Sequence, residues 1–163
     1  MPDLRIGGAD FGALAAQILE DGSGLRFSAR GMSMSPFIRD GDVVEVQPIG
    51  AAAIRCGDVV LYRNGGDHVI VHRVVQLDRE DGHTMLVTRG DALACADGPI
   101  CREQVLGRVV ALERKERHIQ VNTGLPRILG RLWIGLAPLS QRLYGVLAAL
   151  KTRLRRSRPV QMN

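Results

Sequence analysis

The chain has 163 residues, 45% of them hydrophobic and 24% charged, which is enough for one domain with a moderate core and excludes global disorder. A formal net charge of +5 invites a nucleic-acid reading, but the excess is local. Up to Leu150 there are 17 acidic and 17 basic residues, and the surplus is the set Lys151, Arg153, Arg155, Arg156 and Arg158. A basic tail on a neutral body suits a membrane surface or polyanion, or simple solvation, rather than a groove-wide DNA surface.

Residues Asp10 to Glu20 predict a short helix, with Asp10 as its cap and Phe11, Leu14, Ala15 and Leu19 on one face. Asp21-Gly-Ser-Gly24 ends it. From Leu25 to Val121 the texture becomes short Val-rich runs bounded by Gly-Asp turns. Strands are predicted at Leu25–Ala29, Asp42–Gln47, Val59–Arg63, Val69–Leu77, Thr84–Thr88, Gly107–Glu113 and His118–Val121. Asn64-Gly-Gly-Asp67 reads as a tight hairpin turn and Asp78–Gly82 as a looser one. Gly41-Asp-Val-Val44 and Gly57-Asp-Val-Val60 repeat, too briefly for a repeat architecture. After Gly124, Leu-rich sequence interrupted by Arg127, Arg131, Pro138 and Arg142 fits two short amphipathic helices, which pack on the β domain, lie in a membrane interface or bind a partner. A span from Leu132 to Leu150 would bury Arg142 near its middle, at high cost. The expected architecture is therefore mainly β: a helix and linker over 1–24, a small coiled antiparallel β domain over 25–121, and an amphipathic helical segment with a basic tail over 122–163.

Cys56, Cys95 and Cys101 are odd in number and lack zinc-like spacing, so no metal site is read from them; no cofactor is expected. Free thiols in a reducing compartment are the default, with a Cys95–Cys101 pair as the oxidised alternative. No basic region, apolar run and small-residue cleavage site opens the chain, so no secretory signal is read. A cytoplasmic place, or attachment to the inner face of a membrane, is expected.

The segment Arg30-Gly-Met-Ser-Met-Ser-Pro-Phe-Ile-Arg-Asp-Gly-Asp42 carries the chemistry. A strand leads into a Ser-Met-x-Pro turn, which can hold a hydroxyl at a sheet edge beside backbone N–H groups free to face a carbonyl. Nucleophilic catalysis needs that arrangement and a base within reach. Two further blocks follow in order: Gly57-Asp-Val-Val60 with Val71-His-Arg-Val-Val75, then Thr88-Arg-Gly-Asp91 with Asp97 and Gly107. In these three blocks the chain resembles the signal peptidases and their relatives, the LexA-type self-cleaving repressors, from about Leu25 to Val110.

That resemblance implies roles. The nucleophile is the Ser before the Met, here Ser33 and not Ser35. The residue before Arg in the second block is the base, a Lys in typical bacterial enzymes and a His in the archaeal and endoplasmic-reticulum type; here it is His72. The chain's two lysines, Lys115 and Lys151, are not placed to serve. In the His type the third block supplies orienting acids, which match Asp91 and Asp97; a His base needs such a partner to fix its tautomer. Asp97 is the favoured partner and Asp91 a supporting one. Some relatives carry an oxyanion-donating Ser at the position of Gly31, so backbone N–H groups, that of Ser33 foremost, are expected to form the hole. The Asn residues that usually follow Gly-Asp are replaced by Ala92 and Leu93. The implied activity is endopeptidase cleavage of a leader or propeptide bound in extended form, with small residues such as Ala at the cleavage side and Gly31, Met32, Met34 and Pro36 against the substrate. A His base implies activity rising through pH ~6–7.

Residue by residue, blander readings compete. Ser33 can be a turn serine, His72 a strand histidine, and Asp91 and Asp97 turn stabilisers. His68, Ile70 and His72 share a face by alternation, so His68 competes for the base. Met32 and Met34 also read as fillers of apolar gaps, and His83 and His118 as surface strand residues. Two rival functions remain: a non-catalytic peptide-binding protein on the same fold, and a DNA-binding repressor. For the second, some 24 residues with one helix are too few for a helix-turn-helix.

Overall fold

Helix α1 spans Gly8–Glu20. It begins two residues before the expected cap, so Asp10 lies inside its first turn, where a carboxylate complements the positive end of the helix dipole. Ala15 and Leu19 face the sheet and join Val44, Val46, Leu61 and Val109 in one core. The structure, a computed structural model, describes residues 8–50, 53–65, 68–80 and 83–121. The predicted amphipathic helices and basic tail lie outside the described residues.

Eight strands follow: β1 Leu25–Ser28, β2 Val43–Pro48, β3 Val59–Arg63, β4 Val69–Glu80, β5 His83–Arg89, β6 Pro99–Cys101, β7 Val105–Arg114 and β8 Arg117–Gln120. They form one antiparallel sheet in the order β1-β2-β7-β3-β4-β5-β6, with β8 also on β7. This is the mainly β architecture with an N-terminal helix expected from the sequence. Strand β7 is the organiser. It pairs with β2 from Gly107 to Glu113, with β3 from Val105 to Arg108, and with β8 from Ala111 to Arg114. Both faces of the centre are buried, so β3 reads Val-Val-Leu-Tyr without polar alternation. Leu61 and Val59 face the α1 side, whereas Val60, Tyr62, Val74 and Leu86 build a second core on the other.

Two details differ from the sequence reading, and a third extends it. Strand β6 and the 3-10 turn Arg102–Gln104 were not expected. The β4–β5 pairing runs out to Glu80 opposite His83, further than a loose Asp78–Gly82 turn allows. The short Gly-Asp repeat is a true structural repeat. In Arg39-Asp-Gly-Asp42 and Arg55-Cys-Gly-Asp58 the aspartate accepts the arginine's backbone N–H, at 2.7 Å and 3.0 Å, and returns its own N–H to that arginine's carbonyl at 3.1 Å each time. Each aspartate is then gripped by an arginine of β7, Asp42 by Arg114 and Asp58 by Arg108. The Arg114 hydrogen bonds outweigh burial and hold the Asp42 carboxyl below the usual carboxylate range.

Candidate active site

Strand β4 carries His72 and Arg73, and alternation sends them to opposite faces. His72 is buried, its Nδ1 2.6 Å from Asp97 Oδ2. A carboxylate only accepts, so Nδ1 carries a proton, and in the neutral ring this tautomer puts the lone pair on Nε2, where a general base requires it. The same Oδ2 accepts Thr88 Oγ1 at 2.7 Å and the Tyr62 hydroxyl at 3.1 Å. The Asp97 backbone is tied down as well, its N–H donating to the Thr88 carbonyl at 2.8 Å. Burial, with the Asp97 charge adding to it, pushes the Tyr62 phenol up to about 12, so it remains a donor at any physiological pH.

The position of Ser33 follows from Gly90. Arg73 lies opposite Arg89, and one more antiparallel step sets Gly90 across from His72. Side chains of cross-strand partners leave the sheet on the same face. A Cβ on Gly90 would lie 2.7 Å from the Ser33 carbonyl oxygen, closer than atoms approach. The Ser33 main chain therefore fills the side-chain space of residue 90, on the His72 side. Ala92 N–H donates to that same carbonyl at 2.8 Å and fixes the contact. Ser33 itself is half-buried. Among the described residues neither its hydroxyl nor His72 Nε2 takes a hydrogen bond.

On the opposite face Arg73, 1% exposed, donates twice to Asp91 at 2.8 Å and 2.7 Å and once to the Gly57 carbonyl at 2.9 Å. Its guanidinium carbon lies 5.1 Å from the centroid of the Phe37 ring. Asp91, grouped with the catalytic residues from the sequence, is thus committed to Arg73 and not to His72. It holds in place the loop that supports Ser33.

The remaining sequence candidates separate clearly. His68 precedes β4, is exposed, and closes the hairpin loop by accepting Asn64 N–H on its carbonyl at 2.9 Å, whereas His72 is the imidazole on Asp97. Of the two readings of Met34, the apolar gap filler is the one found: it is 5% exposed and packed in the core with Ile38, not against substrate, because the turn points it inward. Met32 was also read as a gap filler, yet it is 70% exposed beside Ser33. Pro36 is exposed. Gly31 has φ +92, a conformation a Ser would adopt only with strain, and its N–H donates to Asp40 Oδ1 at 2.8 Å. The backbone thus explains why no serine stands there. Cys56, Cys95 and Cys101 carry free thiols.

Sequence reasoning missed Tyr62, and gave Thr88 no role although it lies in the third block. Tyr62 is indistinguishable from core in an unbroken apolar strand; its register opposite Ile70, beside His72, is what gives it a partner. No curated protein matches the chain. Residues 11–110, which hold the Ser33 turn, His72 and Asp97, match the model of the Peptidase S24-like family, within the LexA and signal-peptidase superfamily. Over most of its length, therefore, the chain belongs to the S24-like peptidases.

Proposed function

We propose that the protein is a serine endopeptidase of signal-peptidase type that cleaves a leader or propeptide after small residues. Ser33 attacks the scissile carbonyl while His72 Nε2 takes its proton and passes it to the leaving amine. Asp97 holds the imidazole and stabilises its charged form, and water then releases the acyl group from Ser33. The observation that carries this reading is the 2.6 Å His72–Asp97 bond on the face where Ser33 rests against Gly90.

One observation favours the rival, a peptide-binding protein that does not cleave: the absence of a hydrogen bond between Ser33 and His72 among the described residues. Purified protein and a quenched peptide with Ala at the cleavage side separate the two. Ser33→Ala is expected to lower kcat/KM by at least about a thousandfold. Equal cleavage by wild type and variant would remove Ser33 from the chemistry.

Among the described residues no helix is long and apolar enough to cross a membrane. Peripheral contact at the inner membrane face through the basic set Lys151 to Arg158 is the setting we favour for such processing.

A further inference from the structure

Three hydrogen bonds end on one oxygen. Asp97 Oδ2 accepts from His72 Nδ1, Thr88 Oγ1 and the Tyr62 hydroxyl, so β4, β5 and β3 each contribute one donor. Thr88 is fully buried and Tyr62 is 1% exposed, which leaves little room for water to replace either hydroxyl. The Tyr62 and His72 rings lie 6.5 Å apart between centroids.

We propose that Tyr62 and Thr88 are positioning residues of the site: they share the negative charge of Asp97 with His72 and so keep the imidazole a neutral base. The inference rests on the Ser33–His72–Asp97 reading above. A carboxylate that faced only the imidazole would give its whole charge to the imidazolium and hold the proton on. Each further donor to the same oxygen draws part of that charge away and favours the unprotonated ring. Geometry adds to electrostatics, because donors from three strands fix the carboxylate in one orientation. Around the imidazole stand Asp97, from the loop after β5 and bonded to Nδ1, and Tyr62 from β3 and Thr88 from β5 on the same carboxylate oxygen. Arg73 and Asp91 pair on the other face.

The test follows the His72 imidazole by NMR across pH in the whole protein, its signal identified by loss in His72→Gln. Tyr62→Phe and Thr88→Val are each expected to move the titration midpoint up by about 0.5–1 pH unit. Thr88→Ser, which restores a hydroxyl, is expected to bring it back. The acidic limb of kcat on the Ala peptide should move with it, leaving KM near its original value. A midpoint that stays in place or falls in the folded variants overturns the proposal. If Tyr62→Phe does not fold, the Thr88→Val and Thr88→Ser pair decides alone. The catalytic reading fails separately, through cleavage by Ser33→Ala, while the imidazole titration still reports on the shared oxygen.

Discussion

At residue 72 the chemistry of the partner decides which nitrogen holds the proton. Asp97 can only accept, so Nδ1 donates, and in the neutral ring the lone pair falls on Nε2. Asp97→Asn offers an amide that can donate to Nδ1 instead, and the ring would then carry its proton on the wrong nitrogen. Hydrolysis of the Ala peptide is expected to fall about ten-thousandfold with the circular dichroism spectrum unchanged, by analogy with the loss seen when a serine-protease aspartate becomes asparagine. His72 and Asp97 were legible in the sequence because ordered motifs flank them. The commitment of Asp91 to Arg73 was not, because alternation along β4 decides it and a motif says nothing about faces. The sequence left Met32 and Met34 alike, whereas the turn sends Met34 into the core and leaves Met32 exposed.

The twin Arg-x-Gly-Asp turns show the same split between legible and hidden at the level of elements. Their repetition is visible in the sequence, but the β7 arginines that lock them lie 72 and 50 residues away. Asp42→Asn removes the charge that Arg114 holds at 2.6 Å in a nearly buried place. It is expected to lower unfolding stability by about 2 kcal/mol, read from urea denaturation. The pH dependence has a definite sign. The folded carboxyl is held below its unfolded value near 3.9, so the stabilisation is present above that value and is lost as pH falls through the depressed folded one. Acid unfolding of Asp42→Asn should therefore be less steep below pH ~4. Strand β6 escaped the sequence reading because three residues opening on a proline carry no period. Proline is tolerated there, since β6 pairs only with β5 at the end of the sheet.

For the molecule as a whole, the strands were readable one by one, but their order was not. That β7 separates β2 from β3 depends on pairings between distant segments, which local periodicity does not encode. What the sequence did signal was the consequence: unbroken apolar runs where both faces of a strand are covered. Leu61 lies at the centre, 1% exposed, in the core that the sheet shares with α1. Leu61→Ala is expected to cost about 2–5 kcal/mol of stability in thermal or urea unfolding. Its side chain is on the face opposite His72, so the folded fraction should keep its rate on the Ala peptide.

The bare α-carbon at position 90 offers a way to test the proposed peptidase activity without altering Ser33, His72 or Asp97. Gly90→Ala would act as a wedge one methyl wide against the Ser33 carbonyl and the Leu93 side chain, displacing the turn that carries Ser33. Turnover should collapse in a protein that still melts cooperatively and still shows the His72–Asp97 bond.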